Sequence, residues 1–167
     1  APLFSGKEVA VVGGGNAGLE AALDLIPYAS KTYLLEYGNI LKGDPVTQEK
    51  VKKSGVEVIL NAETLHIVAD KESKFVAGFD YKDRVSGSTK HLAVGGVFVE
   101  IGSIPNSEMV KDLVVLNKMG EVIIDHKTAA TSREGIWAAG DVTDEIYKQN
   151  NISAGDAVKA ALSAYTY

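Results

Sequence analysis

The sequence predicts an α/β fold in which a parallel, helix-covered sheet is interrupted by an antiparallel meander. Three observations point there. Continuous apolar runs alternate with stretches of helical period over residues 9–60, two-residue alternation follows over residues 64–94, and a buried-strand pattern returns at residues 96–101. A continuous apolar run marks a strand covered on both faces, as in parallel sheets, whereas alternation marks a strand with one solvated face.

Taken in order, residues 9–12 (VAVV) form the first strand, rich in β-branched side chains. Leu19, Ala22, Leu23 and Ile26 then recur at helical spacing, and Pro27 ends that helix. Residues 32–35 are a second strand. Asp44 and Pro45 have the character of an N-cap and a first helical position, opening a helix to about residue 53 with Gly55 just beyond it. Residues 56–60 are a third strand, and the resulting strand–helix–strand–helix–strand order implies parallel pairing through right-handed crossovers. In the meander, Phe75, Ala77, Phe79 and Tyr81 alternate with polar or small residues, and VSGS at 85–88 supplies a turn before residues 89–94. GVFVEI at 96–101 returns to a buried strand and stops at GSIPN, where Gly102 and Pro105 forbid continuation. Residues 121–125 and 136–139 (IWAA) are two further short strands, GD follows as a turn, and residues 153–164 form a helix of small residues. No internal repeat, low-complexity tract or flexible linker separates these elements.

The composition narrows the function. With 167 residues and 46% hydrophobic content, the chain can bury one domain, or one with an appendage. A net charge of −5 with both signs interspersed leaves no basic face, so neither nucleic acid nor a membrane surface is an expected partner. No apolar run reaches the roughly 18 residues of a spanning helix, and APLFSGKE lacks the features of a signal peptide. The absence of cysteine fits a cytoplasmic, reducing location and excludes thiol chemistry by this chain itself. His66, His91 and His126 stand alone in the sequence, with no partner at metal-ligand spacing.

Gly13, Gly15 and Gly18 match G-x-G-x-x-G between a strand and a helix. In a Rossmann-like domain the first glycine permits the tight turn, the second admits a pyrophosphate to the backbone, and the third lets the helix pack against the strand. Asn16 and Ala17 lie between them at the helix start, where free amides and the positive dipole end attract phosphate. Glu36 stands 18 residues past Gly18 at the end of the second strand, the place of the acid that accepts ribose hydroxyls. Such a carboxylate repels a 2′-phosphate and so favours NAD(H) over NADP(H), with Lys42 the one nearby cation that softens the preference. The competing readings are a purely structural turn and a solvated surface glutamate.

The stretches GKEVAVVGGGNAGLEAALDL, YKDRVSGSTKHLAVGGVFVEIGSIPN and GIWAAGDVTDEIYKQNNISAGDAVKAALSA together resemble the thioredoxin reductase family, most closely its alkyl hydroperoxide reductase flavoprotein branch. The resemblance implies a three-layer nucleotide-binding domain inserted into an FAD-binding domain that is split in sequence. Residues 1–125 would be the NAD(P)H domain and residues 126–167 the C-terminal piece of the FAD domain. It further implies that Gly140 and Asp141 approach the ribityl and pyrophosphate side of FAD, and that Lys148, Gln149, Ser153 and Ala154 approach its isoalloxazine. Ile101 and Gly102 match the loop that closes over the nucleotide. NADPH-specific members carry arginines just after the second strand, where this sequence has Glu36, Tyr37 and Gly38, a departure that favours NADH. The family's first FAD segment and its Cys-x-x-Cys have no counterpart here, so the chain is expected to be a fragment of a longer flavoenzyme.

In that parent, the resemblance implies, NAD(P)H passes a hydride to FAD, the flavin reduces a disulfide, and the dithiol serves a thioredoxin-like partner, the enzyme being a homodimer. Two rivals stand beside this reading. A self-sufficient NAD-dependent dehydrogenase would need a proton-transfer constellation, and the sequence has no Tyr-x-x-x-Lys. A non-catalytic NAD-binding module would use the same glycine turn.

Overall fold

In the computed structural model, which describes residues 1–73 and 75–167, β1 (Glu8–Val12) leads through α1 (Asn16–Leu25) to β2 (Lys31–Leu35) and through α2 (Pro45–Lys53) to β3 (Glu57–Ile59). β4 (Ala62–Ala69), β5 (Val76–Asp83) and β6 (Thr89–Leu92) follow, then β7 (Val97–Val99) and, much later, α3 (Asn150–Tyr165). The strands form a four-stranded sheet in the order β3-β2-β1-β7 and a three-stranded sheet in the order β4-β5-β6. All pairings in the first are parallel and all in the second antiparallel, as the sequence pattern predicts.

β1 shows why its apolar run is unbroken. Val9 and Val11 pack with Leu19, Ala22 and Leu25 of α1 and Val51 of α2, while Ala10 and Val12 pack with Phe79 and Tyr81 of β5. Each face of the parallel sheet is therefore covered by a different layer, helices on one side and the meander on the other. α2 begins and ends where local chemistry dictates. The Asp44 carboxylate accepts from the amides of Val46 and Thr47 at 2.9 and 3.2 Å, and Gly55 adopts a φ of 86° just past the last turn.

Several expectations need correction. The alternation read from Phe75 to Tyr81 holds only for Phe79 and Tyr81, which are buried, whereas Phe75 and Ala77 are exposed. The cause is a register shift between Val68 and Ala69, opposite the start of β5. The segments at 121–125 and 136–139 are not strands; they pair through the single bridges Val122 to Thr143, Ile124 to Thr131 and Ala130 to Trp137. Their apolar residues do serve as core: Val122 and Ile124 are buried with Val114 and Ala129, and Ile136 and Ala138 pack on them.

The described residues divide into two compact units, Ala1–Gly102 and Ser103–Tyr167. The sequence reading places the division near residue 125 instead. Residues 103–125 fall in the second unit because Val122 and Ile124 bridge to Thr143 and Thr131, and Val114 and Leu116 pack in the same cluster as Ala129, Ile136 and Val142. In that unit Trp137 is half-buried and meets Tyr167 edge-on at 5.3 Å. No helix among the described residues is long and apolar enough to cross a membrane.

Candidate functional site

The parallel sheet changes direction of growth at β1, with β2 on one side and β7 on the other. Loops leaving the carboxyl ends of β1 and β7 diverge there, which is where open α/β sheets place ligands. A cleft of about 590 Å³ lies at that point, walled by the glycine turn, Glu36, Tyr37, Lys42, residues 62–64 and residues 100–102. It lies wholly within the first unit.

The three glycines perform three different tasks. At Gly13, with φ 121°, a Cβ would lie 2.3 Å from the Glu100 carbonyl oxygen, so β7 crosses too close for any side chain. At Gly18 a Cβ would lie 1.7 Å from the Gly13 carbonyl oxygen, so α1 seats directly against the turn. Around Gly15 nothing lies within 4 Å of that position, which leaves open space over the backbone. Gly15 is the N-cap of α1 and brings no side chain to its amides. Among the described residues, the amides of Gly15, Asn16, Ala17 and Gly18 find no acceptor, leaving a row of donors at the positive end of the helix.

Glu36 is almost fully buried, at 6% exposure. Its Oε2 accepts from the Gly14 amide at 2.8 Å and its Oε1 from the Gly38 amide at 2.7 Å. The Lys42 ammonium stands 3.6 Å from Oε1. Burial pushes this carboxyl upward, yet the amides of Gly38 and Gly14, with Lys42, outweigh it and hold the pKa below its ordinary value. The group is thus a fixed anion that ties the glycine turn to the tip of β2. Each oxygen still has a second lone pair for a ribose hydroxyl.

Asn16 does something the sequence does not suggest. Its Oδ1 accepts from the Asp44 amide at 2.7 Å, while the amides of Lys42 and Gly43 donate to the Gly14 carbonyl at 2.8 and 3.1 Å. The loop before α2 is thereby strapped to the glycine turn. Ala17 is exposed at the helix start. Ile101 is exposed and Gly102, with φ 76°, closes the β7 side of the cleft. Sequence reasoning missed Gly14, Ala62, Glu63, Thr64 and Glu100 as wall residues, and gave Tyr37 no role beyond displacing an arginine. Only the glycine turn carries a local signal; the others arrive through strand order.

The remaining candidates lie in the second unit. Gly140 turns at φ 80°, and Asp141 Oδ1 accepts from the Ser153 hydroxyl at 2.9 Å. Lys148 is tied to Glu121 at 2.9 Å and donates to the Thr143 carbonyl. Gln149 is the N-cap of α3 and makes no side-chain cap bond; among the described residues the amides of Asn150, Asn151 and Ile152 have no acceptor. Ala154 is exposed on the first turns of that helix. One buried side-chain atom among the described residues lacks a partner, Asp156 Oδ2 on α3. Of the histidines, His91 pairs with Asp80 across β5 and β6 at 2.6 Å, outside the cleft.

Comparison with known proteins gives one consistent result. The family described as pyridine nucleotide-disulphide oxidoreductase matches residues 2–161. An alkyl hydroperoxide reductase subunit of Escherichia coli (strain K12) is 45% identical over 167 residues, and an NADH dehydrogenase of Bacillus subtilis (strain 168) is 46% identical over the same length. Each alignment covers 99% of this chain and 32% of the relative, so the chain spans about a third of the length of these proteins. Among solved structures, T. acidophilum thioredoxin reductase superposes with a TM-score of 0.85 at 38% identity, over 98% of this chain and 53% of that one. Lactococcus lactis thioredoxin reductase superposes with a TM-score of 0.86 at 28% identity, over 99% and 54%.

Proposed function

Because the chain belongs to the pyridine nucleotide-disulphide oxidoreductase family, we propose that its first unit binds NAD(H) in the cleft above the glycine turn and its second unit supplies part of an FAD site. Both would act within a longer flavoenzyme of the thioredoxin reductase type. The observation that carries this reading is the row of unpaired amides at residues 15–18, open to a cleft with a buried carboxylate on its other wall. Bound there, the reduced dinucleotide would supply two electrons, as a hydride, to the flavin and through it to a disulfide.

The residues divide the work. The amides of residues 15–18 take up the pyrophosphate without a side chain in the way, and the dipole of α1 adds to their attraction. Glu36 takes the ribose hydroxyls on its free lone pairs and opposes a 2′-phosphate, which favours NADH over NADPH. Lys42, 3.6 Å from that carboxylate, offsets part of the opposition. The B. subtilis relative's name, an NADH dehydrogenase, agrees in direction. Gly102 and Ile101 hold the far side of the cleft against solvent. In the second unit the open amides of α3, near Gln149, Ser153 and Ala154, suit the negative charge of a reduced flavin, while Gly140 and Asp141 shape the turn that faces them. The protein's contribution to the transfer is to hold and orient each cofactor.

The rest of the flavin site, the redox-active disulfide, a thioredoxin-like acceptor and a dimeric parent belong to the same proposal. With no cysteine, this chain does not reduce a disulfide itself. That fact also favours a second reading, an NAD-binding module without turnover. A parent polypeptide containing this chain decides between them. It should carry bound yellow FAD that bleaches on anaerobic addition of NADH, and faster than with NADPH. Binding of NADH by a parent that holds no flavin and shows no turnover would favour the module.

A further inference from the structure

We propose that Tyr37 and Arg84 together form the platform on which the adenine of the bound dinucleotide stacks, a proposal that rests on the nucleotide reading above. Tyr37 directly follows Glu36 and lines the cleft, with 56% of its surface exposed. The Arg84 guanidinium carbon sits 3.9 Å from the centre of the Tyr37 ring, and Arg84 Nη1 donates to the Tyr37 carbonyl at 2.9 Å. One face of the ring is therefore held by a cation–π contact. More than half of the residue's surface is still exposed, and the residue lines the cleft.

The arginine is itself anchored. Its amide donates to the Asn61 carbonyl at 2.9 Å, and the Asn61 amide donates to the Gly38 carbonyl at 2.8 Å. Asn61 holds the left-handed φ of 56° that this turn into β4 requires. The end of β5 is thus laced to the tip of β2, and the guanidinium is delivered to the ring by backbone on both sides. A tyrosine fixed in this way loses little side-chain freedom when a flat ligand stacks on it, and adenine is flat, uncharged and apolar on its faces. Its place beside the ribose-facing carboxylate is the side of a dinucleotide that carries the adenosine.

The test is a fluorescence titration of this chain with NADH, using the unmodified protein, Tyr37→Ala, Tyr37→Phe and Arg84→Ala. Tyr37→Ala should weaken binding by about 5- to 160-fold, the range of one aromatic–base stack. Tyr37→Phe keeps the ring and should bind within about twofold of the unmodified chain, while Arg84→Ala should lose about 2- to 5-fold through a freed ring. A second measurement needs no variant: ADP-ribose should move the ring-proton NMR resonances of Tyr37 upfield. Failure of the unmodified chain to bind NADH overturns the functional reading and this inference with it. Normal binding that Tyr37→Ala leaves unchanged, equal losses in Tyr37→Ala and Tyr37→Phe, or Tyr37 resonances unmoved by ADP-ribose overturn the platform alone.

Discussion

Gly15 and Gly18 are three positions apart in one turn, yet their substitution should fail in opposite ways. A Cβ at Gly18 lies 1.7 Å from the Gly13 carbonyl, so Gly18→Ala must push α1 off the sheet; about 1–3 kcal/mol of stability should be lost, read as a lower urea midpoint. A Cβ at Gly15 meets nothing within 4 Å and its backbone is in the ordinary extended region, so Gly15→Ala should leave the midpoint unchanged or slightly raised. It would nevertheless stand in the proposed path of the phosphates, and NADH affinity should fall about tenfold or more, ~1.4 kcal/mol. Glu36 gives the pH dependence. Despite the opposing effect of burial, the amides of Gly38 and Gly14, with Lys42, hold its pKa below the ordinary 4.5, so its ionised form is favoured by folding. A depressed folded pKa contributes stability that is complete above the unfolded value and lost as pH falls through the folded one. In Glu36→Gln the amide group faces one of the two backbone donors with no acceptor, a loss of about 1–3 kcal/mol at neutral pH. The gap in urea midpoint between the two proteins should stay constant down to about pH 5 and narrow below it. A gap independent of pH would show that the carboxylate is not the tie between β2 and the glycine turn.

At the scale of elements, α2 illustrates what local chemistry decides. Asp44 caps it through two backbone amides, and Asp44→Ala should cost about 0.5–2 kcal/mol, measurable by thermal unfolding. Because the Asp44 amide also bonds Asn16, the same helix cap reaches the start of α1. The bounds of α2 were readable from the sequence because Asp44, Pro45 and Gly55 act on their own neighbours. Residues 121–125 and 136–139 misled for the complementary reason. Their apolar pattern reports burial, which Val122 and Ile124 satisfy, but a strand also needs a continuous partner, and here each finds single bridges. Phe75 and Ala77 lost their inward places to a bulge beside Gly78, a strand glycine that the alternation alone passes over.

For the whole molecule, the alternating pattern of the first 60 residues was enough to foresee parallel pairing, and with it the crevice after β1. The glycine turn and Glu36 were legible because a short motif carries their chemistry. The rest of the cleft was not: Glu63 and Thr64 come from β4, and Tyr37 in the wall is held by Arg84, which lies outside the wall and 47 positions along the chain. Such contacts are set by which strands become neighbours, and a single sequence gives no local trace of them. The division near Gly102 was hidden likewise, since residues 103–125 join later segments only through packing. In the proposed function, the free amides of residues 15–18 receive the pyrophosphate of a nicotinamide dinucleotide. Titrating the isotope-labelled chain with NADH and following its backbone amide resonances tests this most directly. The largest shifts are expected at Gly15, Asn16, Ala17 and Gly18, with Gly14 and Gly38 following; an unchanged spectrum, or shifts confined to residues away from the cleft, would rule this site out.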